Sequence, residues 1–437
     1  MIETLKNAWK TPELRKKILF TLFIIVVFRI GSAIPAPFLD ADVMATWMTK
    51  NGTGNFLSYM DILSGGALSK ATLFAMSITP YINAQIIIQL LTYALPPLEQ
   101  LQKEGEVGRK KLQKITDVTG LVLALFQAIA YYLTLKNAGA VTHTGGATGI
   151  FAAAVIVTSF VAGASLIVWL GNQINEHGIG NGISIILFAG IIARGPSAFL
   201  KLVNLVASDP AQYAVVVPVV IVIFVLMIAF IVLMNNSERR IPVQYAKRVV
   251  GRRQYGGQST HIPIKVLMSG VMPIIFAMSF MSLPSTLGMF FPPSANGSGF
   301  WHNFYVGFLN FFRYDSIWYA ILYFILIIAF NYFYVSMIYN PIEIANNLRQ
   351  SNGGIPGIRP GKPTSDFIQR VLSKVTLVGA VFLGIIAIFP IMFNAALPNL
   401  NIAMGGTTVL IIVSVALETV RTLESQMMMR HHKGFLE

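Results

Sequence analysis

The sequence contains no cysteine and carries little charge of either sign. Without cysteine, disulfides, thiolate catalysis and Cys-ligated metal sites are excluded. Only 18 of the 437 residues are acidic and only 11% are charged, where an ordinary soluble domain carries about 25%. A water-soluble fold of this size could not cover its surface with so few charges. A cytosolic enzyme, a secreted module and a disordered scaffold are therefore excluded before any motif is read. What the chain does have is apolar length. Hydrophobic residues make up 55% of it, enough at about 20 per span for on the order of ten membrane helices.

Apolar runs of spanning length fall near 18–35, 71–95, 116–136, 150–171, 182–200, 213–234, 266–291, 316–339, 375–393 and 402–420. The first follows Lys16 and Lys17 without a small-residue cleavage site, so it reads as a retained span rather than a signal peptide. With the N-terminus inside, the segments 1–17, 96–115, 172–181, 235–265, 340–374 and 421–437 are cytoplasmic and hold 25 of the 32 Lys and Arg residues. Basic residues accumulate on the cytoplasmic side, so both termini are expected there. Ten spans divide into two fives, and an odd number per half inverts the second half relative to the first. Inverted halves around a central path recur in proteins that move something through a bilayer; ten helices without internal symmetry is the alternative.

The middles of the spans hold almost no ionisable group. Arg29 lies toward the outer end of the first span and Glu418 toward the inner end of the tenth, where either side chain can snorkel to an interface. The deep polar residues are neutral: Thr79, Asn83, Gln85, Gln89, Gln127, Ser279 and Ser282. Helix-to-helix hydrogen bonding is the plain reading of these. Ion- or proton-coupled transporters keep charged groups at this depth, so a secondary transporter of a small neutral solute fits poorly. No catalytic set is evident. Glu176-His177 lacks the second His of a zinc-binding HExxH helix, and neither a GxSxG elbow nor a GxxxxGK[ST] phosphate loop occurs. The run Gly178-Ile179-Gly180-Asn181-Gly182 has no lysine and is expected to be a tight turn between the fourth and fifth spans. No cofactor is expected, and no enzymatic activity.

Three connectors exceed what linking requires. Segment 235–265 holds seven basic residues against one acid, Glu238, and Ile241, Val243 and Tyr245 alternate with polar positions, predicting a projecting hairpin. Its charge suits an RNA backbone or an acidic protein surface, or else anionic lipid. Segment 340–374 contains GGIPGIRPGKPT, whose prolines and glycines fix a non-helical turn with Arg359 at its tip. On the outer side, 36–70 includes a moderately apolar stretch with a possible short helix at about 55–64, broken at Gly65-Gly66. This reads as a re-entrant element, and such backbone is tolerated at membrane depth only inside protein or beside a cavity.

The segments ITPYINAQIIIQLL, KEGEVGRKK, GIGNGISIILFAG, ERRIPVQYAKRVVGRRQYGGQSTHIPIK, GGIPGIRPGKPT and MGGTTVLIIV, in this order from the second span to the tenth, closely resemble the SecY/Sec61 alpha family of protein-conducting channels. The resemblance implies an all-α, polytopic clam-shell: ten helices in two inverted halves, 1–200 and 201–437, around an hourglass pore. A re-entrant plug would lie at about 52–69. The family seals its pore with aliphatic side chains, which here would be Ile78, Ile82, Ile183, Leu187, Ile275 and Ile411. Leu187 stands where isoleucine is commoner in the family. Ile78 and Ile82, like Ile183 and Leu187, are four apart and so share a helix face; from the residues alone they read as core or lipid contacts. The lateral gate would run between spans 2–3 and 7–8, with Thr79, Gln127, Ser279 and Ser282 facing it and holding it by neutral hydrogen bonds. The resemblance also makes the two cytoplasmic loops a docking platform for the SecA motor ATPase and the ribosome, through Lys247, Arg248, Arg252, Arg253 and Arg359, with Arg430 and Lys433 as weaker contributors. SecE and SecG would be membrane partners, and a secretory preprotein or signal peptide the substrate. The implied location is the bacterial cytoplasmic membrane, with anionic lipid at the basic face.

Overall fold

The computed structural model describes residues 6, 8–51, 61, 64–245, 248–250, 253–255, 259–290, 299–313, 316–396 and 406–431. The chain is mainly helical: α1 Pro12–Gly31, α2 Ala41–Asn51, α3 Thr79–Ala94, α4 Pro96–Lys103, α5 Glu106–Asn137, α6 Gly146–His177, α7 Gly182–Ala193, α8 Gly195–Ser208 and α9 Pro210–Asn236. A hairpin region follows, with β1 Glu238–Tyr245, β2 Arg248–Val250, β3 Arg253–Tyr255 and β4 Ser259–Lys265. The remainder is α10 Met272–Phe290, α11 Phe300–Phe311, α12 Ile317–Ile338, α13 Pro341–Gln350, β5 Gly353–Gly354, α14 Lys362–Ala396 and α15 Gly406–His431.

Six helical stretches among the described residues are long and apolar enough to cross a membrane: Glu106–Asn137, Gly146–His177, Gly182–Ser208, Tyr213–Asn236, Ile317–Gln350 and Lys362–Phe393. The other four expected spans coincide with α1, α3, α10 and α15. The lipid-facing role is clearest in α9, a 27-residue helix of about 40 Å at 1.5 Å per residue. It is apolar all round, yet Val215, Val219, Val222, Val225, Leu226 and Leu233 are exposed. Only the hydrocarbon core of a bilayer can solvate such a surface. The expected division of the chain at residue 200 falls inside α8.

Two spans depart from the continuous helices expected of them. The second is helical only from Thr79; residues 64–78 form a chain of turns. Gly65 and Gly66, together with Ala71 and Ser77, adopt positive φ, which an α-helix cannot accommodate. Apolar composition in this stretch signals burial, and most of its side chains are buried. Its backbone groups find partners outside a helix: Leu73 N donates to Ile34 O (3.0 Å), Ala36 N to Ala71 O (3.0 Å), and the Tyr131 hydroxyl to Leu68 O (2.7 Å). That is how irregular backbone survives where water is scarce. The fifth span bends at Arg194, between α7 and α8. The possible helix at 55–64 lies, apart from Asp61 and Ser64, outside the described residues.

The interior is divided among clusters. One joins α9, α10, α12, α14 and α15 through Ile231, Ile274, Tyr323, Leu383 and Leu410. Another packs α5 and α6 against Met44 of α2 and the irregular 64–78 segment. A third draws on helices from both ends of the chain.

Candidate functional site

The cluster shared between the two ends of the chain holds all six residues expected to seal the pore. Ile78, Ile82, Leu187 and Ile411 are among its buried members, and Ile183 and Ile275 pack against it half-buried. They come from four helices, each positioned by local chemistry. Ile78 is the residue at which turns become helix: it is the N-cap of α3, Pro80 enters the first turn, and Ile82 N donates to Ile78 O (3.0 Å). Proline suits this position because its fixed φ and missing N–H cost nothing there. Ile183 and Leu187 lie on successive turns at the start of α7, whose N-cap Asn181 accepts from Ile183 N (3.1 Å) and Ser184 N (3.3 Å) through its side chain. The glycine-rich turn before them is a packing device: Gly182 approaches α6 so closely that a Cβ there would lie 2.0 Å from Gly171 O. Ile275 occupies the first turn of α10 and Ile411 the second turn of α15. The cluster that gathers them also takes in the aromatic side chains of Phe28, Tyr81 and Phe276.

The helices that carry the expected gate residues are in contact, with α10 packed against both α3 and α5. Thr79 opens α3, Gln127 is half-buried on α5, and Ser279 and Ser282 are on α10. The serine bonds do not cross the seam. Ser282 Oγ donates to Ser279 O (2.6 Å), and Thr286 Oγ1 to Ser282 O (2.9 Å), all within α10. A hydroxyl can always satisfy itself on its own helix one turn back, so these residues need no partner across the interface. What does bridge the two sides is an aromatic pair that sequence reasoning missed: Tyr93 of α3 meets Phe333 of α12 edge-on, centroids 5.4 Å apart and planes at 63°. The available signal was an aromatic at the end of one span matched by the aromatic-rich end of another.

The two basic loops form one folded unit. β1 pairs antiparallel with β4 from Glu238↔Lys265 to Gln244↔Ser259, and its end also pairs with β5 through Gln244↔Gly354 and Tyr245↔Gly353. The expected alternation is realised at two of its three positions: Ile241 and Val243 face a small core with Ile264, Leu348, Ile355, Ile368 and Leu372, whereas Tyr245 at the strand end is exposed. Pairing with β5 was not legible, because two glycines carry no strand signal. Arg359 is exposed on the following turn, between Gly357 (φ 79°) and Gly361 (φ 99°), and its carbonyl accepts Thr364 Oγ1 at 2.8 Å. Arg248 opens β2 and Arg253 opens β3; Lys247, Arg252 and Lys433 lie outside the described residues. At the base of the hairpin, burial and then the neighbouring Arg421 lower the pKa of Lys265. Arg421 itself joins α15 to α9, donating to Asn236 Oδ1 (2.7 Å) and Asn235 O (3.0 Å).

One further contact had no sequence signature beyond an acid in an apolar connector. Asp61, only 4% exposed, pairs with Arg194 at the end of α7, with Nη1 to Oδ2 at 2.7 Å. Among the described residues no group of three His, Asp or Glu converges as a metal site.

A family model described as SecY matches residues 72–420. The protein translocase subunit SecY of Thermotoga maritima is 40% identical over 441 residues, covering 100% of this chain and 98% of that protein. Among solved structures, one described as "The plug domain of the SecY protein stablizes the closed state of the translocation channel and maintains a membrane seal" aligns with TM-score 0.62 at 18% identity, over 94% of this chain and 92% of that one. Sec61 in a canine ribosome-channel complex from the endoplasmic reticulum aligns with TM-score 0.58 at 17% identity, over 94% and 92%. These two likenesses concern the fold.

Proposed function

The chain belongs to the SecY family, and from that premise we propose that it is the multi-pass, channel-forming subunit of a protein translocase, passing unfolded polypeptides across the membrane and releasing hydrophobic segments sideways into lipid. The observation that carries the reading is the convergence of Ile78, Ile82, Ile183, Leu187, Ile275 and Ile411, from four helices at both ends of the chain, in one apolar cluster.

Such a constriction seals by dewetting. Water and ions find no hydrogen bonds there to replace those of their hydration shells. Aliphatic contacts are non-directional, so an extended polypeptide of any sequence can push through and the side chains close behind it. The six residues act as gasket, with no bond made or broken. Halves 1–200 and 201–437 open around this point, and the re-entrant segment near 52–69 plugs it from outside. The seam of α3 and α5 against α10 and α12 is the lateral gate. There Thr79, Gln127, Ser279 and Ser282 supply polarity, and the Tyr93–Phe333 contact contributes an edge-to-face pair that an incoming signal helix can displace.

Energy comes from a partner. The β1–β4–β5 unit gives Arg359 a rigid mount, and with Lys247, Arg248, Arg252 and Arg253 it makes a basic platform for SecA or the ribosome, beside anionic lipid. SecE and SecG complete the membrane complex. The location is the bacterial cytoplasmic membrane, with both termini cytoplasmic, as the basic-residue count supports. The test is export of a reporter with a defective signal in cells carrying Ile78→Asn or Ile411→Asn. Increased export and ion leak are expected; unchanged stringency and leak in both would remove the constriction assignment.

A further inference from the structure

We propose that α11 is an interfacial helix: its aromatic side lies in the outer leaflet of the bilayer, between the outer ends of α10 and α12, and it is held there by apolar contact with lipid and not by charge. The inference does not depend on what the channel carries. It needs only that α10 and α12 cross the membrane.

The sequence of α11, FWHNFYVGFLNF, contains no Asp, Glu, Lys or Arg. Successive residues of a helix are about 100° apart around its axis, which sorts these residues onto three sides. Phe300, Trp301, Phe304, Phe308 and Phe311 fall within an arc of about 100°, and all five are exposed. His302, Tyr305, Val306 and Leu309 fall within a second arc of about 100° and are half-buried. Asn303, Gly307 and Asn310 occupy the remainder and are exposed. A helix packed on a protein in water needs only two sides, one buried and one polar. The third, apolar and uncovered, is what a helix lying in the plane of a membrane adds.

The neighbours fix its depth. Leu309 packs on Gly288 in the last turn of α10, where a Cβ on the glycine would lie 3.2 Å from Leu309 Cδ2. Phe311 stacks on Trp318 in the first turn of α12, with centroids 6.2 Å apart and planes at 23°. The basic-residue topology puts both contacts at the outer ends of their spans, so α11 sits at the level of the headgroups. Trp318 is itself exposed and begins the row Trp318, Ile321 and Ile325 on one face of α12, all exposed. The aromatic side of α11 is therefore continuous with a surface that hydrocarbon must cover. At its far end Trp301, 78% exposed, meets Phe300 and Phe304 edge-on at 5.7 and 6.4 Å. Tryptophan concentrates at the boundary between headgroups and acyl chains. Because α11 has no acidic or basic side chain beyond His302, its attachment comes from apolar burial and needs no anionic lipid.

The test uses the full chain in its assembled membrane complex, reconstituted in phosphatidylcholine vesicles. The chain has no cysteine, so single variants each place one nitroxide. Phe304→Cys and Phe308→Cys report on the aromatic side, Asn303→Cys and Asn310→Cys on the polar side, and Leu309→Cys on the packed side. Leu226→Cys, on the exposed face of α9, is the lipid reference. Oxygen partitions into lipid, whereas a nickel chelate stays in water. The oxygen-to-nickel accessibility ratio at 304 and 308 should resemble that at 226 and exceed that at 303 and 310 severalfold; at 309 both reagents should be excluded. Adding phosphatidylglycerol should leave this pattern unchanged. Equal nickel access at all four exposed positions would put the aromatic side in water. Exclusion of both reagents at 304 and 308 would put protein over it, and a lipid signal seen only with phosphatidylglycerol would make the attachment electrostatic. Each of these results would overturn the proposal.

Discussion

Replacing Ile78 with Asn perturbs the seal by exchanging an aliphatic side chain for a polar amide with the same number of heavy atoms. Ile78 is 0% exposed, at the N-cap of α3, in the shared apolar cluster. Removing an aliphatic side chain from a buried site forfeits about 1.5–3 kcal/mol of burial. The amide adds about 1–3 kcal/mol for being dry without a partner. The second contribution is the informative one, because it disappears when the constriction is wet. Closed and dry, the variant carries the penalty; open and hydrated, it does not. The open population should therefore rise by about 5- to 150-fold, taking 1.4 kcal/mol as tenfold. Single-channel recording of the reconstituted complex reads the open fraction directly, and thermal unfolding measured in parallel separates gating from general destabilisation. Ile78→Leu keeps the apolar character and should stay closed. Equal conductance for Asn, Leu and wild type, with comparable stability, would refute the dewetting argument.

Other consequences are narrower. Arg359→Glu should reduce motor-driven export by at least tenfold while leaving thermal stability unchanged, since the side chain is exposed and its turn is held by the Thr364-to-carbonyl bond; normal export would remove the docking role. A double-mutant cycle on Tyr93→Ala and Phe333→Ala should show about 0.5–1.5 kcal/mol of coupling in the equilibrium for lateral opening, read by cross-linking across the seam. Asn181→Ala should cost about 1 kcal/mol of stability through loss of the α7 cap, measured by thermal unfolding. Lys265 has a lowered folded-state pKa, so it binds fewer protons folded than unfolded. Stability should therefore rise with pH between that lowered value and its ordinary range, and Lys265→Met should flatten this slope in a pH series of unfolding midpoints.

Much of this architecture is written in residue type and spacing, and the exceptions have physical causes. Apolar runs mark the candidate spans because a bilayer demands them, but apolarity reports burial and not helicity. Residues 64–78 satisfy the first and, through the positive φ of Gly65, Gly66, Ala71 and Ser77, violate the second. The strand alternation at Ile241 and Val243 is legible because one face is buried and one is wet. Its third strand, Gly353-Gly354, is not, since glycine has no side chain to alternate. The constriction residues are the hardest case. Ile78 and Ile82 share a face by spacing alone, yet isoleucine looks the same against lipid, in a core or around a pore. Only family resemblance marked them as a set, and only tertiary packing brings them together with Ile275 and Ile411. Ser282 misled in the other direction: a buried hydroxyl implied a partner across the seam, whereas the nearest acceptor was on its own helix.

The most direct test of the central claim is site-specific cross-linking in this cysteine-free chain. Single cysteines at positions 78, 183, 275 and 411 would be paired with a cysteine in a preprotein arrested halfway through export. The account predicts disulfides between that preprotein and all four positions, and none to a cysteine at position 226 on the exposed face of α9. Cross-linking at 226 with silence at the four constriction positions would place the path elsewhere and contradict it.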